Sequence, residues 1–276
     1  MTRPDTYTHG HPDIVVAAHA TRTVEDSAAY LVPHLHRGDD LLDLGCGPGS
    51  VTVGLARLVA PGRTVGIDGS AKVLDRARAH ALAAGIEIDF QVANVYDLPF
   101  PAASFDAVHA HQLLQHLGDP VGALSDVRRV LRPGGLVAVR DADFGSLLWH
   151  PADETLDRWH HAYLTVHRAN GGEPDAGRRL LEWVLAAGFV DPVSTTSSWS
   201  FADPDRRRWW GELWAGRVVS DPFAGRAVEL GVAEPSSLDE YAAALLRWSE
   251  RPEGWCGVIH GEVVARTPDP GSKEER

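Results

Sequence analysis

Cysteine is scarce in this sequence: Cys46 and Cys256 are the only two in 276 residues, and they form no paired spacing. A disulfide framework and a thiolate zinc site are therefore excluded, and a reducing compartment is expected. Positive charge is also in deficit, with 26 Lys and Arg against 38 Asp and Glu and a formal net charge of -12. A field of that sign repels polyphosphate backbones and anionic lipid surfaces, so neither nucleic acid nor a membrane is expected as a partner. The densest basic run, Arg206, Arg207 and Arg208 ahead of Trp209 and Trp210, has the composition of a base-stacking surface but reads better as a helix turn with buried tryptophans. No stretch approaches 18 uncharged apolar residues, and the segment with Asp5 and His9 through Asp13 lacks an apolar signal core. The expectation is a cytoplasmic protein. Histidine is plentiful at 14. Yet neither His109, His111 and His116 nor the His160–His161 pair is joined by a carboxylate motif, so no metal site is expected.

What the sequence does contain, from residue 40 onward, is an apolar pattern that alternates between short buried runs and a period near 3.6, as in βαβ units around a parallel sheet. Strands are expected at Leu41 to Leu44, Thr64 to Asp68, Ile86 to Val92, Phe105 to His111 and Leu136 to Val139. Helical stripes lie between them: Val51, Leu55 and Leu58; Leu74, Ala77 and Ala81; Leu124, Val127 and Leu131, broken at Pro133. Right-handed crossovers then place helices on both faces. Upstream, Thr23 with Asp26 reads as a capping box opening a helix through Tyr30 and Leu31. Downstream, Leu180 to Leu185 reads as a helix, and Val193 to Phe201 and Cys256 to Thr267 as the last two strands. About fifty tryptophan-rich residues, 203–254, interrupt those two strands and read as a helical cap.

The organisation expected is one domain over 1–276: an N-terminal arm and helix at 1–39, a ligand-binding core at 40–145, and a C-terminal half at 146–267 carrying the cap. A flexible tail follows at 268–276.

The stretch Leu41-Leu42-Asp43-Leu44-Gly45-Cys46-Gly47-Pro48-Gly49-Ser50 sets a glycine-rich turn between a buried strand and a helix, the edge where α/β sheets bind ligands. Ser50 stands where a dinucleotide fingerprint has its third glycine, and Pro48 removes an amide that a phosphate would use. Asp43 beside the turn disfavours a pyrophosphate and suits an ammonium, such as that of the methionine part of S-adenosylmethionine. Asp68 ends the next strand about twenty residues on, where a carboxylate accepts from ribose hydroxyls; a helix N-cap is a compatible second role.

Together with VGID ending at Asp68, DLPFPAASFDAV from Asp97 and RRVLRPGGLVAV from Arg128, these residues resemble class I S-adenosylmethionine-dependent methyltransferases, including quinone-biosynthesis and small-molecule enzymes. The resemblance covers residues 20 to 145. It implies a Rossmann-like α/β fold, a seven-stranded sheet, mostly parallel with an antiparallel last strand. S-adenosyl-L-methionine is the implied cofactor. It implies a cofactor site of Arg22 for the methionine carboxylate, Asp43, Gly45, Gly47, Asp68 and Gly69, with Asn94 (where relatives carry an acidic residue) and the Val95 amide at the adenine. His111, in the segment that passes under the cofactor, is the expected catalytic residue, with Asp141 and Asp143 as lesser candidates.

Methyl transfer from a sulfonium needs alignment and exclusion of water more than covalent help, so a base is required only by a poor nucleophile. The acceptor expected is a small, apolar or aromatic molecule. Tyr7, His9 and His11 of the arm and Trp209, Trp210 and Trp214 of the cap are expected to close over it. A cofactor-fold binding protein without catalysis is the competing class, separated by a cofactor-binding assay. Assembly into a homo-oligomer is left open.

Overall fold

The computed structural model describes residues 20–220, 223–269 and 271; Tyr7, His9 and His11 of the expected arm, and most of the expected tail, lie outside the described residues. The chain runs α1 (Val24–Ser27), a 3₁₀ turn (Val32–His34), β1 (Leu41–Leu44), α2 (Ser50–Val59), β2 (Thr64–Asp68), α3 (Ala71–Ala84), β3 (Asp89–Val92) and β4 (Phe105–His111). A second 3₁₀ turn (Leu114–His116) leads to α4 (Pro120–Val130), β5 (Leu131–His150), α5 (Glu154–Ala169), α6 (Ala176–Ala186) and β6 (Val190–Ser200). The cap helices α7 (Pro204–Val218), α8 (Phe223–Glu229) and α9 (Pro235–Ser249) precede β7 (Trp255–Arg266).

The seven strands form one sheet in the order β3-β2-β1-β4-β5-β7-β6. All pairs are parallel except β5 with β7 and β6 with β7. The expected antiparallel last strand is β7, inserted between β5 and β6. Each strand alternates its side chains between two faces. Leu42, Val108 and Val137 bury against Leu124 and Val127 of α4 and Leu180 and Val184 of α6. Leu41, Ala107 and Leu136 bury on the other face against Val51 and Leu55 of α2 and Val24 of α1.

Three expectations need correction. The first helix stops at Ser27, although the Thr23–Asp26 capping box forms as read. The Asp26 carbonyl, which a longer helix would offer to residue 30, instead accepts the indole N–H of Trp199 at 3.1 Å. The third strand begins at Asp89, leaving Ile86 and Ile88 to pack beside the core of α3. Finally, the cap is larger than residues 203–254. Helix α5 joins it, with Leu156, Trp159, Tyr163 and Val166 buried against Trp210 and Trp214 of α7 and Tyr241 and Leu245 of α9. Strand β5 is the floor of this second core: it runs on past the parallel sheet and contributes Ala142, Phe144 and Leu147.

The Arg206–Arg208 run does not form a basic surface. Arg207 is buried, and its guanidinium donates to the carbonyls of Ala202, Ser249 and Gly254, tying α7 to the end of α9. No helix among the described residues is long and apolar enough to cross a membrane.

Candidate active site

The face shared by Leu41, Ala107 and Leu136 turns polar toward the C-terminal ends of the parallel strands. Register aligns Asp43 of β1 with His109 of β4, His111 of β4 with Arg140 of β5, and Arg140 with Glu262 of β7. Asp43 is buried, with one oxygen 2.7 Å from His109 Nδ1 and the other accepting the Thr52 hydroxyl of α2 at 2.5 Å. A carboxylate acceptor requires a proton on Nδ1; Nε2, the other ring nitrogen, is buried and has no partner among the described residues.

His111, one layer further out, has the opposite polarity. Its Nδ1 lies 3.4 Å from the Arg140 guanidinium, which can only donate, so the ring proton sits on Nε2, also buried and without a partner among the described residues. Burial, reinforced by Arg22 and Arg140, pushes the His111 pKa well below the ordinary histidine range and keeps the ring neutral. Arg140 is held in turn by Glu262 at 3.2 Å and by the Ser197 hydroxyl, and the same carboxylate accepts from Ser197 and Thr195 of β6.

The glycine-rich turn closes this end of the sheet. Gly45, Gly47 and Gly49 all have positive φ, at 61°, 54° and 78°. A Cβ on Gly45 would stand 2.9 Å from Leu113 Cδ1, whereas one on Gly47 would meet nothing within 4 Å. Gly47 thus presents bare backbone to open space, as a ligand cradle requires. Its amide donates to Asp68 Oδ2 at 3.1 Å, and the Ser70 amide donates to Oδ1 at 2.9 Å, which fixes the carboxylate at the end of β2 beside the open Gly69. Asn94 is exposed, and its Oδ1 accepts the Tyr96 amide at 3.0 Å within the turn that also holds Val95.

Arg22 borders three cavities, one of them an open space of about 770 Å³ against α1 and α2, and two of them reach the residues described above. A small one of about 40 Å³ is lined by Arg22, Asp43, Gly45, Gly47, His109 and His111. A large one of about 430 Å³ is walled by Phe144, Trp199, Phe201, Trp209, Trp210 and Trp214. Arg22 lines both. The three tryptophans expected in the lid are therefore together in the large cavity, Trp210 and Trp214 buried and Trp209 37% exposed. His111 lines the small cavity and is not among the residues of the large one. Asp141 and Asp143 point to the opposite face, where Asp143 is clasped by Arg178 and Asp141 accepts the Gln115 amide.

The fold and the order of the motifs have counterparts among known proteins. Residues 42–139 match the methyltransferase-domain family. An uncharacterized methyltransferase of Schizosaccharomyces pombe is 33% identical over 268 residues, 94% of this chain and 95% of that protein. The chain belongs to the class I S-adenosylmethionine-dependent methyltransferases. The O-methyltransferase resE of Aspergillus sclerotiorum is 35% identical over 164 residues, 56% of this methyltransferase and 61% of its own length. Among solved structures, the YcgJ protein of Bacillus subtilis superimposes with a TM-score of 0.58 at 16% identity, covering 87% of this chain and 97% of that one.

Sequence reasoning passed over Gln112, Trp199 and His260, all of which line the large cavity. The signal existed for one of them. His260 and Glu262 fall on one face of the expected last strand by simple alternation, and polar residues on an inward face are the informative exceptions. Nothing in the local sequence tells that Trp199 would reach across to α1.

Proposed function

We propose that this methyltransferase binds the methionine end of S-adenosylmethionine in the small pocket and a small aromatic acceptor in the large cavity, and transfers the methyl in line between them. The observation that carries this reading is the shared wall: Arg22, fixed by a 2.6 Å bond to Gln112 Oε1, borders both spaces at the C-terminal edge of β4. The residues present suit the cofactor chemically. Arg22 and the unpartnered Nε2–H of His111 are two donors for the methionine carboxylate, and Asp43 supplies negative charge for the ammonium. The bare backbone at Gly45 and Gly47 admits the chain, Asp68 and Gly69 take the ribose, and Asn94 with the Val95 amide borders the adenine. Bound there, the cofactor supplies an already activated methyl group.

His111 then serves as a neutral donor and not as the base, because its proton faces the pocket and its lone pair faces Arg140. The acceptor lies among indole and phenyl rings that exclude water, which favours alignment over solvolysis. Titration calorimetry with S-adenosylhomocysteine tests the cofactor half of this reading. A mass-spectrometric screen of aromatic acceptors, watching for the gain of one methyl, tests the other. Absence of S-adenosylhomocysteine binding by the folded protein would overturn it.

A further inference from the structure

The large cavity is apolar on most of its walls, but Arg22, Asp26, Asp205, Arg206 and Arg217 also line it, and Gln112 and His260 do so next to Arg22, the residue it shares with the small pocket. The orientation of both groups is determined. Arg22 can only donate, so the Gln112 oxygen faces it at 2.6 Å and the amide NH₂ faces His260 Nε2 at 3.0 Å. Nε2 therefore carries the lone pair. Burial, with Arg140 and Arg22 nearby, pushes the His260 pKa well below the ordinary histidine range, so that lone pair is free of a proton at neutral pH. The imidazole is wedged against Trp199, ring centres 4.3 Å apart. Gln112 adopts φ 51°, a conformation that side-chain-bearing residues resist and that tends to persist where function requires it.

Gln112 and His260 satisfy each other directly, and the group that can replace that bond without stranding either partner is one that both accepts and donates. We propose that the acceptor is a planar aromatic hydroxyl compound whose hydroxyl displaces the direct 3.0 Å Gln112–His260 hydrogen bond and bridges the two groups as they part, so that these two residues make the enzyme an O-methyltransferase. The inference rests on the methyl-transfer reading above. The hydroxyl oxygen accepts from the Gln112 amide and donates its proton to His260 Nε2. As its lone pair forms the new O–CH₃ bond, the S–CH₃ bond of the sulfonium donor breaks with its electron pair staying on sulfur. The O–H bond breaks and the proton remains on Nε2. The products are the aryl methyl ether and S-adenosylhomocysteine, and the one positive charge has moved from sulfur to the imidazolium, which returns its proton to solvent as the ether leaves.

The test compares three probes by titration calorimetry on the full-length protein: 2-naphthol, 2-methoxynaphthalene and naphthalene. All three fit rings of the same size, and only 2-naphthol can donate. The parent is expected to bind 2-naphthol at least about tenfold tighter than 2-methoxynaphthalene, the equivalent of one hydrogen bond of about 1.4 kcal/mol. In His260→Phe and in Gln112→Met the preference should fall to within about twofold while naphthalene binding persists, showing that the cavity is intact. Incubation of the parent with S-adenosylmethionine and 2-naphthol should yield 2-methoxynaphthalene, lost in His260→Phe. S-adenosylhomocysteine affinity should stay within about threefold of the parent in His260→Phe, since His260 is outside the small pocket. Equal binding of 2-naphthol and 2-methoxynaphthalene by the parent, or a preference retained in both variants, would overturn the assignment. Failure of the parent to bind S-adenosylhomocysteine would instead overturn the cofactor reading, and the naphthol comparison stands apart from it.

Discussion

Replacing Asp43 and Asp68 one at a time should separate a carboxylate that carries both fold and cofactor from one that carries the cofactor alone. The structure divides them. Asp43→Ala strands the His109 Nδ1–H and the Thr52 hydroxyl inside the protein, partners it holds at 2.7 and 2.5 Å. Hydrogen bonds to a charged group contribute about 1.5–3 kcal/mol each, so the loss should come to roughly 3–5 kcal/mol. In a domain of this size that lowers the apo melting temperature by about 8 °C or more. Asp68 is half-buried and accepts the Gly47 and Ser70 amides, which water can reach once the carboxylate is gone. Asp68→Ala should melt within a few degrees of the parent. Its cost should appear in binding: two hydroxyl contacts at the low end, about 3 kcal/mol together, weaken S-adenosylhomocysteine by roughly 10²-fold. Differential scanning calorimetry without ligand and titration with S-adenosylhomocysteine measure the two quantities separately. Parent-like melting of Asp43→Ala would refute the bridging role, and parent-like affinity of Asp68→Ala would refute the ribose contact.

Acid should destabilise the fold just below neutrality. His111, His116, His160, His167 and His260 all have pKa values lowered by burial, so below the ordinary value of 6.5 the unfolded chain binds protons that the folded one does not. Their contribution is intact above pH 6.5 and lost as the pH falls; Asp141, pushed up to about 8 by burial, opposes it with one proton between its ordinary 3.8 and 8. Urea unfolding at pH 7, 6 and 5 should show a steep decline, and equal midpoints would contradict the neutral burial of these rings. In the cap, Trp214→Ala removes a ring within 5.0–6.0 Å of Phe144, Trp159, Tyr163 and Trp210 and should cost about 3–5 kcal/mol of stability by denaturant titration. Trp209→Ala, at a half-exposed site, should leave stability within about 1 kcal/mol and weaken naphthalene binding several-fold by calorimetry; the reverse ranking would remove Trp209 from the cavity wall. Gly45→Ala imposes φ 61° on an L side chain and presses Leu113, so it should lose about 1–2 kcal/mol and bind S-adenosylhomocysteine at least tenfold more weakly.

The sheet was legible because its signals are local. The first two strands are short buried runs closed by Gly45 and Gly69, and the Gly45–Gly49 turn declares its own positive φ values. The cap was only half legible. Helix α5 carries Trp159 and Tyr163 at helical spacing, but nothing near them shows that their partners are Trp210 and Trp214, some fifty residues away. The site divided in the same way. Asp43 lies in the strand that leads into the turn and Asp68 ends the next one, places that the local pattern marks, whereas the polarity of His111 depends on Arg140 one strand over and that of His260 on Gln112 across the sheet. A tautomer is set by a neighbour in space, so no inspection of HAHQ alone could decide which nitrogen carries the proton.

The polar half of this sheet face is costly to bury, and its cost points to its purpose. Arg140 and Glu262 are both nearly inaccessible, and an ion pair so placed is weak evidence for stability, since well-packed apolar residues often serve as well. Two strand positions further in, the same face is filled by Leu136, Ala138 and Val264, which shows that apolar packing is available to this architecture. What apolar residues at 140 and 262 would lose is orientation. The Arg140 guanidinium lies 5.0 Å from the Trp199 ring and meets the His111 lone pair, so one buried cation positions the cavity wall and fixes the donor polarity of the small pocket. Glu262 balances that cation and is itself saturated by Ser197 and Thr195, leaving no free carboxylate to compete for a ligand's proton. The pair ties Trp199 of the large cavity to His111 of the small one, the fixed separation that the proposed in-line transfer between two bound molecules would demand.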